Sequence, residues 1–99
     1  MNRAEVYSKW GLPSIQIGSG VLIAKEYVTD ALEMIYENGY YFLGYDAFTV
    51  HPDGKRQPHI GFSASFNKGS LPTLSEAKSS LALDPKEITH YEFVFEPSA

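Results

Sequence analysis

Four carboxylates at a 4, 3, 4 spacing are the residues most suited to chemistry in this chain. Glu26, Asp30, Glu33 and Glu37 fall, at about 100° per residue, within roughly 60° of one helical arc. Like charges at i, i+4 oppose helix formation by a few tenths of a kcal/mol per pair, and Glu37 stands at the wrong end of the helix dipole. No Lys or Arg occurs between Glu26 and Asp53. The plain reading is the solvated face of an amphipathic helix; the functional reading is a docking surface for a cationic partner. A fifth carboxylate, Asp46, interrupts the otherwise apolar run Leu43-Gly44-Tyr45-Asp46-Ala47-Phe48, where it must reach solvent, find donors or serve a partner.

Other constellations lead less far. His51 and His59 flank the turn that holds Asp53, but two His and a carboxylate make a metal site only with all three on one side of the ribbon and a second shell behind them. An ordinary hairpin surface is the expectation there. His90 alternates with Glu92, a common pairing on solvent-facing sheet. The chain has no Cys, which removes thiolate nucleophiles, disulfides and sulfur-ligated zinc. Gly18-Ser19-Gly20 lacks the third glycine of a dinucleotide loop. Neither a G-x-S-x-G elbow nor an H-E-x-x-H pair is present. The expectation is therefore no catalytic residue, no metal and no cofactor.

These residues need positioning elements, and the sequence supplies them. Val28, Ala31, Leu32 and Ile35 follow the i, i+3, i+4, i+7 rule and predict a helix over about Lys25–Asn38, with Gly39 at its left-handed cap. A strand is expected over about Tyr41–Val50, with Phe42, Phe48 and Val50 on one face and Tyr41, Leu43 and Tyr45 on the other. His51-Pro52-Asp53-Gly54-Lys55 reads as the reversal. A partner strand over about His59–Phe66 would put Ile60, Phe62, Ala64 and Phe66 on one face. Thr73-Leu74-Ser75-Glu76 has capping-box spacing and opens a helix to about Leu83, which Asp84-Pro85 stops. The last strand, Ile88–Phe95, alternates Tyr91, Phe93 and Phe95 with His90, Glu92 and Val94. Trp10 lies in a turn-like segment before Ile15-Gln16-Ile17, a short strand. The 99 residues suit one domain, here 1–99. The order predicts an α+β fold in which two helices pack on an antiparallel or mixed sheet of three to four strands.

Charge narrows the partners. The net charge is −4, and residues 51–70 are locally basic with Lys55, Arg56 and Lys68 against Asp53. Nucleic-acid binding needs clustered cations, so nucleic acid is not an expected partner. An acidic surface favours basic proteins. Val21 to Ala24 is the longest aliphatic run, too short to span a membrane. No apolar h-region follows Met1-Asn2-Arg3-Ala4-Glu5, so the expected location is the cytoplasm.

The run Val28-Thr29-Asp30-Ala31-Leu32-Glu33-Met34-Ile35, then Gly39, then Phe42-Leu43-Gly44-Tyr45-Asp46-Ala47-Phe48, resembles small bacterial immunity proteins of polymorphic-toxin and contact-dependent growth inhibition systems. Their pattern is a helix containing Asp-Ala-Leu followed by a strand reading Leu-Gly-Gly-Asp. Leu43, Gly44 and Asp46 match it, and Tyr45 replaces the second glycine. The resemblance covers about a third of the chain, Val28 to Val50. It implies a non-enzymatic cytoplasmic protein that binds a cognate toxin domain, commonly a basic nuclease, and blocks its active site. The partner-binding residues expected from the charge pattern and this match are Glu26, Asp30, Glu33, Glu37 and Asp46. The rival expectation is a small-molecule-binding or enzymatic α+β domain with its pocket between sheet and first helix and Asp46 or His90 as anchors. A self-associating structural module is a third.

Overall fold

The computed structural model describes residues 2–82 and 84–98. Three helices and six strands form two layers. They are α1 (Arg3–Lys9), β1 (Ile15–Ile17), β2 (Gly20–Ala24), α2 (Val28–Glu37), β3 (Tyr40–Val50), β4 (Arg56–Pro58), β5 (Ala64–Ser65), α3 (Leu74–Ala82) and β6 (His90–Pro97). The strand order is β1-β2-β6-β3-β4, and β5 also pairs with β3. Every pairing is antiparallel. The α+β class holds, but the sheet is larger than the three to four strands expected, and a third helix precedes it.

One face of the sheet carries the core. Tyr91, Phe93 and Phe95 from β6 meet Phe42, Tyr45 and Ala47 from β3, Val21 and Ile23 from β2, and the buried sides of all three helices. From α2 these are Val28, Ala31, Leu32 and Ile35, the four positions of the apolar stripe, all buried. Burying a side chain of this size is worth about 1.5–3 kcal/mol, so the stripe is what clamps α2 to the sheet. The other face of the sheet has no helix on it. It carries Tyr41, Asp46, Phe48, His90, Glu92, Val94 and Glu96, read from the cross-strand register.

The faces of β3 differ from the simple alternation. The register shifts between Phe42, opposite Phe95, and Gly44, opposite Val94. This bulge inserts Leu43 and flips every later side chain. Phe42 and Tyr45 thereby both enter the core, and Phe48 moves to the helix-free face, where Arg56 covers its ring at 5.2 Å.

The first helix starts at Asn2, whose side chain accepts from the Glu5 backbone N–H at 2.9 Å. It ends at Trp10, and Gly11 takes φ 74° to turn the chain. Residues 25–27 form a single 3₁₀ turn before α2, so the helix begins three residues later than expected. Gly39, at φ 73°, reverses the chain into β3.

The segment 59–66 is not one strand. β4 lies earlier, and Ile60–Phe62 form a 3₁₀ turn that bulges from the edge before β5. Only Ala64 and Phe66 of the expected apolar face pack on the core.

The capping box forms as the spacing implied. The Glu76 N–H donates to Thr73 Oγ1 at 3.1 Å, and the Thr73 N–H donates to Glu76 Oε1 at 2.9 Å. The Thr73 N–H, with the Thr73 hydroxyl beside it, holds the Glu76 carboxyl below the usual carboxylate range. Thr73→Ala should cost about 1 kcal/mol of unfolding free energy, measured by urea denaturation. The expected end of α3 at Leu83 lies outside the described residues.

Candidate functional site

An acidic groove of about 270 Å³ lies where the α1–β1 connection meets α2, and it is lined by Trp10, Leu12, Asp30, Glu33, Met34 and Glu37. Trp10 is fixed by an aromatic pile on β6. Its ring stacks on Phe95 at 5.9 Å and meets Tyr40 edge-on at 5.7 Å, while Tyr7 meets Phe95 at 5.7 Å. The Leu12 N–H donates to the Tyr7 carbonyl at 2.9 Å and folds the connection back over the helix. Trp10, Leu12 and Met34 supply the apolar part, and three carboxylates supply the charge. Such a surface fits a Lys or Arg side chain, whose apolar stem lies on the ring while its charged end meets the acids.

The structure brings together three of the four carboxylates in the expected stripe. Glu26 is not with them. It belongs to the 3₁₀ turn, where each residue advances about 120° instead of about 100°, so it swings out of line. Its charge acts instead on His90. Glu33 is not uncompensated, because Lys78 of α3 donates to its Oε1 at 3.0 Å. That cation was invisible within the helix's own sequence. Asp30 and Glu37 are exposed, and among the described residues neither has an ion-pair partner. Asp46 lies elsewhere, exposed on the helix-free face opposite Glu92.

Trp10 was visible in the sequence as an aromatic in a turn. Nothing there tied it to α2, because the link is the tertiary pile on Phe95. Leu12 and Met34 carried no signal beyond being apolar.

The histidines are engaged structurally. His51 Nε2 lies 3.2 Å from Gln57 Oε1, and the Lys55 N–H donates to Asp53 Oδ1 at 2.9 Å. Among the described residues no group of three His, Cys, Asp or Glu side chains is placed to hold a metal. His59 Nε2 approaches Thr49 Oγ1 at 2.7 Å, a distance that suits a nucleophile and its base. In the observed arrangement the hydroxyl proton is engaged elsewhere. The Thr49 hydroxyl has one hydrogen, and it goes to the Glu87 carbonyl at 2.5 Å. With that proton on the Glu87 carbonyl, the His59 ring donates to Thr49.

A second Thr–His pair closes the other side of this connection. Thr89 Oγ1 accepts the Val50 N–H at 2.9 Å and lies 2.7 Å from His90 Nδ1. Burial lowers the His90 pKa below its usual 6.5, with the nearby Glu26 charge opposing the shift. Near pH 7 His90 is thus neutral, with its Nδ1 hydrogen-bonded to the Thr89 hydroxyl. A depressed pKa means that the unfolded chain binds this proton more readily, so stability falls as pH drops below about 6.5. The thermal midpoint should decline between about pH 7 and pH 5, and His90→Asn should flatten that part of the profile. An unchanged slope in the variant would rule His90 out as the group responsible.

Between the sheet and α2, where the rival expectation puts a pocket, the middle of the helix is packed tight, and a cavity of about 130 Å³ remains toward its N-terminal end, with Val28, Thr29, Lys78, Leu81 and Tyr91 in its lining. Ala31, Leu32 and Ile35 are fully buried against β3 and β6. Asp46 and His90 project from the opposite face of the sheet. Among the described residues no helix is long and apolar enough to cross a membrane. No family model, curated protein or solved structure matches the chain.

Proposed function

We propose that this chain is a binding protein without catalytic activity, and that the Trp10 groove docks the cationic face of a protein partner. The observation that carries the reading is the groove itself. Asp30 and Glu37 stand at the rim of an apolar floor built by Trp10, Leu12 and Met34, without an ion-pair partner among the described residues. Desolvated carboxylates beside an aromatic are the recurrent means of holding an arginine or lysine at an interface. The resemblance of Val28 to Val50 to immunity proteins gives that partner a class: a bacterial toxin domain with a basic active-site cleft, such as a nuclease. The chain would act in the cytoplasm, bind the toxin one to one, and cover the cleft so that substrate cannot enter. The net charge of −4 supports fast encounter with such a partner and poor affinity for nucleic acid itself.

The test is co-production with the toxin domain encoded beside it. The pair should co-purify, cells should survive the toxin, and the purified chain should abolish toxin activity at equimolar ratio. A toxin that remains free and active in the presence of excess chain would refute the reading.

A further inference from the structure

The two edges of the sheet are built differently. On one side β4 carries Arg56 and Pro58, and the 3₁₀ turn Ile60–Phe62 bulges out after it. Charge, proline and a bulge are the usual guards against pairing with another chain. On the other side β1 ends the strand order, and within the strand it carries none of these guards. No Asp, Glu, Lys, Arg or His occurs from Trp10 to Ala24. Ile15 is 42% exposed, among the few large apolar side chains left open on the surface.

The register of this hairpin says what the edge offers. Ile17 pairs with Gly20 across the two-residue turn Gly18-Ser19, Gln16 with Val21 and Ile15 with Leu22. A two-residue turn closes on a hydrogen-bonded pair, and hydrogen-bonded pairs alternate along an antiparallel ladder. Ile17 and Ile15 therefore bond to β2, while the N–H and C=O of Gln16 point away from it, out of the edge. Ile15 and Ile17 share one face of the strand, the face of Leu22. The sequence Ile-Gln-Ile thus reads the same in both directions about Gln16, with β-branched side chains on either side of an open backbone donor and acceptor.

We propose that β1 pairs antiparallel with β1 of a second copy of this chain, about a two-fold axis at Gln16, so that one sheet runs through both copies. The two Gln16 residues exchange their N–H and C=O groups, and each Ile15 lies against Ile17 of the other copy, the cross-strand contact that stabilises a sheet. The self-matching pattern and the charge select a second copy as occupant. Two chains of net charge −4 repel overall, and this edge lets them meet along a stretch free of charge. Using β1 in both copies leaves only the guarded β4 edges outside, so the assembly closes at two instead of growing into a filament. A three-residue ladder makes the dimer weak and reversible. The proposal stands independently of the toxin reading.

Sedimentation equilibrium on the intact protein tests it. A monomer–dimer equilibrium is expected between about 1 µM and 1 mM, with no larger species. Ile15→Lys sets two cations beside the axis and should weaken dimerisation at least about tenfold. Gln57→Lys, on the opposite edge, should leave it at the parental value. Both side chains are exposed, so circular dichroism should match the parent. Cross-linking reads the register, because the chain has no Cys. In Gln16→Cys the two thiols meet at the axis with Cα atoms about 5.5 Å apart, inside disulfide range, whereas Ser19→Cys holds them well outside it. Under glutathione oxidation Gln16→Cys should therefore form a covalent dimer faster than Ser19→Cys. A protein that stays monomeric to about 1 mM overturns the proposal. So does a dimer that ignores Ile15→Lys, that Gln57→Lys abolishes, or that cross-links equally well through Ser19→Cys.

Discussion

Replacing Gly44 by alanine should cost the fold about 3 kcal/mol, the sum of a backbone strain and an overpacking effect of ordinary size. A Cβ at this position would overlap the Ala64 carbonyl oxygen and lie 3.2 Å from Ser65 Cα. Both obstacles are backbone of β5, which pairs with Gly44 and Tyr45 and cannot rotate aside as a side chain can. The residue also sits at φ 155° in the bulge that sets the faces of β3. Relief therefore requires separating β5 from β3 or removing the bulge, and removal would turn Tyr45 out of the core. For a domain of this size ~3 kcal/mol corresponds to a drop of roughly 12–24 °C in thermal midpoint. A Gly44→Ala protein that melts within a few degrees of the parent would show that the bulge is adaptable. Gly20→Ala is the contrast: its Cβ meets the Arg56 guanidinium at 2.5 Å and Glu92 at 3.2 Å, both ends of flexible side chains that swing away at little cost.

The second large effect is expected at the groove. Asp30→Lys/Glu37→Lys should weaken binding of a basic toxin domain by ~2–5 kcal/mol if either carboxylate is buried against an arginine, and by far less if both remain at the rim. The kinetics separate the two. Loss of a rim charge lowers the association rate and its salt dependence, whereas loss of a buried partner speeds dissociation. Asp30 and Glu37 are the informative pair because both are exposed and neither supports the fold. Reversing Glu33 would also break its bond to Lys78 and confuse the result. A folded double variant that binds with parental rates would reduce the acids to a solvated face.

Local rules carried much of this architecture. The apolar stripe of α2, the turn at residues 51–55, the Thr73–Glu76 capping box and the alternation of β6 are each written within one element, and each appears as expected. Elements set by longer-range contacts were harder to see. β2 is apolar without alternation because Leu22 is buried on one face of the sheet and Val21 and Ile23 on the other. α1 spans only seven residues and shows no repeat of its pattern. Ile60 to Phe66 alternates cleanly, yet an edge position lacks a second strand to enforce pairing, and the chain bulges. Among the site residues, Asp30, Glu33 and Glu37 were legible from helical spacing. The separation of Glu26, the Lys78 partner of Glu33 and the docking of Trp10 over α2 all depend on tertiary placement.

The account is tested most directly by hydrogen–deuterium exchange on the chain alone and in complex with the basic toxin domain proposed as its partner. Protection is predicted to rise over Trp10 to Leu12 and over Asp30 to Glu37, the two segments that build the groove, while the 60–66 edge exchanges as in the free chain. A complex that leaves α2 and the Trp10 turn unprotected, or the absence of any complex, would contradict it.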